Sequence, residues 1–268
     1  MSDDSELVRV RDIGPVNWIG LWTLYKKEVQ RFLKVAIQTV LAPVMQTLLF
    51  MAVLTLAWGS SRGDVLGVPF TQFLAPGLVM MAILGNAFQN SSSSLMVAKI
   101  QGVAVDFLMP PLAAFELTVA FIAGAATRGV LVGVVSVFAV LPFTTLAVHD
   151  VLAILYFALA ASIMMAAAGT IAGVWADKFD HLAAIGNFVI TPLTFLSGTF
   201  YSVTVLPDAI ETVTHWNPFF HLIDGFRYGF IGAADGAVAL GAVYVAVIDA
   251  ALVAVVYWVL KTGWRLKA

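Results

Sequence analysis

The chain has 268 residues, of which 61% are hydrophobic and only 11% charged, with a mean hydropathy of +0.95; soluble domains run nearer half apolar and a quarter charged. A soluble fold is excluded, and a net charge of −2 gives no footing for nucleic-acid binding. There is no cysteine, so disulfides, thiolate metal sites and thiol catalysis are excluded as well.

The first stretch, MSDDSELVRVRDIG, is polar and mixed in charge. It lacks the basic-then-apolar layout of a cleavable signal peptide, so insertion is expected to rely on internal spans. From Trp18 onward, Leu21, Trp22, Tyr25, Val29, Phe32 and Leu33 recur at helical spacing, and Lys26, Lys27, Arg31 and Lys34 largely fill the remaining face. This predicts an amphipathic helix lying in the membrane interface, its basic residues near anionic headgroups. Residues 1–35 are read as a cytoplasmic N-terminus carrying that helix, and 36–268 as one transmembrane domain.

A bilayer core of roughly 30 Å needs about 20 apolar residues in a helix. Six stretches reach that length, at about 36–58, 71–94, 116–142, 151–175, 183–204 and 238–260. Their apolar runs are continuous rather than alternating, which speaks against a barrel, and backbone groups in lipid must be satisfied internally. The fold class is therefore all-α and polytopic, with six transmembrane helices. Pro43 and Pro192 should kink spans one and five. Gly129 with Gly133, and Gly169 with Gly173, allow close helix packing in spans three and four. The run NSSSS, Asn90–Ser94, closes span two, either lining a polar path or simply ending a helix in a polar setting.

Between spans two and three, KIQGVAVDFLMPPLAAFE (Lys99–Glu116) is too polar and too broken by proline to cross a bilayer. It nevertheless carries Ile100, Val103, Phe107 and Leu108 on one helical face. After span five, Pro207 and Pro218 each open a short helical pattern. These two pieces read as an outer hairpin dipping into the outer leaflet, tolerated if buried against protein. Two charges fall inside spans, Arg128 in the third and Asp249 in the sixth; each should face protein or a cavity. They read as a relay pair, as packing charges neutralised by their neighbours, or, for Arg128, as a side chain snorkelling to the interface. His215, His221 and Asp224 match no metal-ligand spacing.

Eleven lysines and arginines lie on the side of the termini: Arg9, Arg11, Lys26, Lys27, Arg31, Lys34, Lys99, Lys178, Lys261, Arg265 and Lys267. Only Arg62 and Arg227 fall in the opposite loops. Both ends are therefore expected in the cytoplasm, with Tyr257, Trp258 and Trp264 as an aromatic belt around Lys261. No GxxxxGK[ST] loop, HExxH or serine elbow occurs, so the chain is not expected to hydrolyse nucleotide itself.

Two stretches carry a family resemblance. Lys99, Gly102, Asp106, Leu108, Pro110, Pro111, Leu112 and Glu116 resemble the coupling loop of type-2 ATP-binding-cassette (ABC) exporter permeases. TPLTFLSGTFYSVTVLP followed by WNPFFHLIDGFRYGFIG is similar to that family's fifth span and outer re-entrant hairpin. The subgroup most similar by these motifs is the bacterial two-gene "multidrug" type, followed by the polysaccharide and Nod-factor exporters. Ser197 departs from the pattern, since a second glycine is usual before Gly198; only local helix packing is put in question.

The resemblance implies a half-transporter in the bacterial cytoplasmic (inner) membrane. A homodimer of this chain would pair with two copies of a separate ATPase subunit, which would hold ATP and Mg; this chain would carry no cofactor and is no enzyme. Lys99, Ile100, Gly102, Val103, Asp106, Phe107 and Leu108 would form the coupling helix, with Phe107 and Leu108 as anchors in the ATPase and Asp106 capping or orienting it. The Lys26-to-Lys34 helix would be a second contact. Spans one, two and five would line the path, and the hairpin, with Pro207, Asn217, Pro218, Arg227, Tyr228 and Gly229, would gate its exit. The cargo would be an amphipathic drug, lipid or lipid-linked glycan. The alternative is an ion-coupled secondary transporter running on Arg128 and Asp249; no internal repeat, which many such folds show, is visible to support it. An intramembrane enzyme lacks any nucleophile–base or metal set.

Overall fold

The computed structural model describes residues 14–58, 63–102 and 111–265. Among them the regular structure is helical, apart from a single antiparallel bridge between Val65 and Val68. Helix α1 is Trp18–Leu33. The six long apolar helices are α2 (Ile37–Trp58), α3 (Phe70–Ile100), α4 (Ala114–Val140), α5 (Val151–Trp175), α6 (Phe179–Leu196) and α9 (Val238–Thr262). Between the last two lie α7 (Asp208–Trp216) and α8 (Pro218–Ile231).

The bundle is built around α3, which is buried along most of its length, whereas α2, α6 and α9 leave most of their surface uncovered. Its main neighbours are α5 and α4, and both glycine pairs explain why. A methyl group added at Gly173 would lie 2.8 Å from Ser92 O, and one at Gly169 would collide with Ser91 Oγ and Phe88 O. Gly129 and Gly133 meet Ala87 and Ile83 of the same helix. Missing side chains on α4 and α5 thus let two helices approach α3 closely.

The prolines act through wide turns. Proline has no N–H, and its ring collides with the carbonyl four residues back. In α2 the π turn Ile37–Leu41 comes just before Pro43, and in α6 the π turn Gly186–Ile190 comes just before Pro192. Such single wide turns move the offending carbonyl aside. The expected kinks therefore take the form of π turns. Pro76 inside α3 is a third interruption.

Two span ends differ most from expectation. Helix α3 continues past Ser94 to Ile100 because its serines are buried against protein rather than ending in a polar setting. Helix α6 stops at Leu196 instead of 204. There Gly198 takes φ +74°, a left-handed conformation that glycine adopts without penalty.

Candidate functional site

At one end of α3, the amphipathic helix α1 is latched onto the bundle. Asn17 caps it through Gly20 N (2.9 Å), and Glu116 on α4 accepts from Asn17 N (2.5 Å) and from Ala113 N (2.8 Å). Tyr25 reaches Thr127 Oγ1 at 3.0 Å. On the face turned inward, Glu28 is buried and its Oε1 accepts from Ser94 Oγ at 2.8 Å. Beside it Arg31 donates to Asn90 O (2.6 Å), Asn90 Oδ1 (3.0 Å) and Ser93 Oγ (3.3 Å), and pairs with Glu28 at 3.3 Å. The serine run is thus the socket for Glu28 and for Arg31, which helical periodicity places near the headgroups instead. Trp18, Ile19 and Trp22 stay exposed, which suits a helix with one face on protein and another on lipid.

At the same end, Lys99 Nζ donates to Val174 O (2.8 Å) and Ala176 O (2.6 Å) and lies 3.6 Å from Asp177. Arg265 Nη1 donates to Trp175 O at 2.8 Å. A lysine on the last carbonyls of a helix is favoured by the helix dipole and satisfies groups that have no partner within the helix. Ile100 and Gly102 follow, Ile100 exposed and Gly102 at φ +69°. Val103, Asp106, Phe107 and Leu108 lie outside the described residues.

Along the middle of α3, two adjoining cavities open, one among α2, α3 and α6 and the other among α3, α4 and α6. One, about 330 Å³, is lined by Gln38, Gln46 and Thr47 of α2, Asn86 and Gln89 of α3, and Thr191 of α6, among others. The other, about 530 Å³, shares Gly85, Gln89 and Thr191 and adds Ser92, Ser93, Arg128 and Asn187. Amides and hydroxyls inside a bilayer-length bundle are placed away from lipid, because lipid-facing positions exclude them.

Arg128 and Asp249 do not pair. Arg128 is buried and its Nη2 donates to Asn86 Oδ1 at 2.9 Å. Asp249 has a buried Oδ1 with no hydrogen-bond partner. Snorkelling of Arg128 is also ruled out by its burial.

At the far end of α3, the hairpin residues form a second cluster. Arg227, counted from sequence as an outer-loop cation, is wholly buried: its Nη2 donates to Gly198 O (2.6 Å), its Nε to Phe73 O (3.2 Å), and its guanidinium stacks 3.8 Å above the Phe73 ring. The short helix α8 brings it there because Asn217 caps the helix through Phe219 N (3.1 Å) and Pro218 opens it. Asn217 Nδ2 donates to Leu193 O (2.9 Å) and to Ser197 Oγ (2.7 Å), so the departing serine ties α6 to α8. Asp224 accepts from Asp235 N and Gly236 N, both at 2.9 Å. Burial pushes its carboxyl up, against the pull of Arg227 and those two N–H groups. His221 Nε2 is engaged with His215 O at 2.9 Å. Gly229 O accepts from His149 N and Asp150 N, and Tyr228 meets the His149 ring edge-on. Pro207 precedes α7 and is exposed.

Six apolar helices, an amphipathic helix latched onto them and polar cavities between them fit the class of multi-pass membrane proteins. The ABC-2 type transporter family matches residues 20–231, and the chain belongs to it. It is 34% identical over 218 residues to an "Inner membrane transport permease YadH" of Escherichia coli (strain K12), covering 81% of this chain and 85% of that one. "Nodulation protein J" of Rhizobium leguminosarum bv. trifolii is 28% identical over 239 residues, covering 87% of each chain. The Sinorhizobium fredii protein of the same name is 26% identical over 235 residues, with 85% and 86% covered.

Proposed function

We propose that this chain is the membrane half of an ATP-driven exporter in a bacterial inner membrane, working as a homodimer with a separate ABC ATPase. The observation that carries the reading is how the Lys99–Glu116 stretch is anchored. Lys99 is tied to the end of α5 and Glu116 to the start of α1, so both ends are fixed to rigid elements. A push on the intervening segment would reach α3, α4, α5 and the α1 latch together. Of these, α3 and α4 line the polar cavities. An apolar-faced segment with clamped ends suits a lever, and Phe107 and Leu108 are its anchors in the motor.

Both termini lie in the cytoplasm in this reading. Lys26, Lys27, Lys99, Lys178, Lys261 and Arg265 gather at the α1 end of the bundle, in keeping with the positive-inside rule. The cargo is an amphipathic molecule that leaves past the α7–α8 hairpin, for which the Arg227 cluster acts as a clasp onto α3. The ion-coupled alternative has lost its proposed charge pair.

Reconstitution of the chain with its ATPase in lipid vesicles tests the coupling. Phe107→Ala with Leu108→Ala is expected to abolish cargo-stimulated ATP turnover while the complex still assembles in the membrane. Unchanged stimulated turnover in that double variant would overturn the assignment.

A further inference from the structure

The 530 Å³ cavity among α3, α4 and α6 holds a cation that has no counter-charge among the described residues. Arg128 is 6% exposed, and no carboxylate among the described residues pairs with it. Among the described residues its side chain hydrogen-bonds to Asn86, and its Nε is buried without a partner. Arg31, which reaches Ser93 of the same cavity wall, is already engaged by Glu28, Asn90 and Ser93. Burying an unpaired guanidinium is unfavourable unless an anion accompanies it. A guanidinium fork also matches oxyanions bidentately, which an ammonium does not.

The walls specify the anion further. Ser92, Ser93, Gln89, Asn187 and Thr191 bring neutral hydroxyl and amide donors to the same cavity, while Phe88, Phe179, Leu182 and Ile190 supply an apolar side. A carboxylate has two oxygens to offer such a set, whereas a terminal phosphate has three, each accepting more than one bond. We propose that this cavity binds the phosphate-bearing head of an amphipathic anion, with Arg128 as its cationic partner and the apolar side holding the start of its chain. The assignment deepens the transport reading by naming a substrate chemistry. It is tested by binding without the ATPase, so its failure is distinct from a failure of coupling.

The full chain, purified in a neutral detergent, is titrated with dioctanoylphosphatidic acid and with dioctanoylphosphatidylcholine. The acid is expected to bind about tenfold tighter or better, the ratio that one charge-assisted contact supplies. Arg128→Gln should reduce it to the phosphatidylcholine level and Arg128→Lys should keep part of the preference. Gln89→Glu, on an exposed position of the same cavity, should cancel the preference with Arg128 still in place. Retention of full preference in both Arg128→Gln and Gln89→Glu, or its absence from the wild type, would overturn the proposal. Inorganic phosphate at millimolar concentration should not displace the lipid; displacement would overturn the need for an apolar chain. Phospholipid extracted in stoichiometric amount from wild type and missing from Gln89→Glu identifies a resident bilayer lipid; a lipid-free wild type that still binds the probe identifies a transient cargo.

Discussion

Replacing Glu28 by alanine should loosen α1 from the bundle. The carboxylate is buried, and it holds Ser94 Oγ at 2.8 Å and Arg31 at 3.3 Å. A hydrogen bond to a charged acceptor contributes roughly 1.5–3 kcal/mol. The Arg31 pair adds only about 0–1 kcal/mol, because its arginine is 30% exposed and keeps its bonds to Asn90 and Ser93. The sum is roughly 1.5–4 kcal/mol, which at about 2–4 °C per kcal/mol lowers the melting midpoint by about 3–16 °C. Thermal unfolding of the detergent-solubilised chain reads this directly. Glu28→Gln keeps the shape and one acceptor and should lose about half as much. The decisive quantity is the coupling between Glu28→Ala and Ser94→Ala in a double-mutant cycle, expected at about 1 kcal/mol or more. Simple additivity of the two variants would refute the latch.

Gly173→Leu should be worse tolerated than its exposed neighbour Trp175→Leu. A side chain at 173 meets Ser92 O at 2.8 Å and Leu95 Cβ at 3.0 Å, and overpacking of this kind costs about 1–3 kcal/mol; the yield of folded protein on size exclusion checks it. Arg227→Met should destabilise by roughly 3–5 kcal/mol, since it strips the Gly198 and Phe73 carbonyls of their donor and leaves Asp224 without its cation. Arg227→Lys should not restore the wild-type melting midpoint, because an ammonium cannot serve both carbonyls and stack on Phe73; full rescue by lysine would show that charge alone matters. Ser197→Gly should weaken the α6–α8 junction by about 1 kcal/mol through loss of the Asn217 contact, seen as a melting shift of a few degrees.

The long spans were legible in the sequence because twenty apolar residues admit little else. Val151–Trp175 matches its expected limits, and Val238–Thr262 runs only two residues longer. Glycine spacing correctly marked close packing, but one chain gives no way to know that both pairs face α3. What sequence reasoning missed are polar residues whose partners are remote. Glu28 sits 66 residues from Ser94, and Arg227 lies 154 from Phe73. Periodicity assigns such side chains to a polar face or an outer loop, whereas a fully partnered charge is stable in the interior. A signal did exist for the latch: four consecutive serines on an otherwise apolar helix, with Glu28 breaking the apolar inward stripe of α1. The Arg128–Asp249 pairing failed for a related reason. Two charges in spans invite each other on paper, but Arg128 had a nearer neutral acceptor in Asn86.

The central claim, that an ATPase acting through Lys99–Glu116 drives transport, is tested most directly in vesicles whose cytoplasmic face is turned outward. Uptake of a fluorescent amphipathic anion is followed with the chain alone under an imposed proton or sodium gradient, and with the chain plus its ATPase and ATP. The account predicts uptake only in the second case, lost when Phe107 and Leu108 are both alanine. Gradient-driven uptake by the chain alone, abolished by Asp249→Asn, would contradict it.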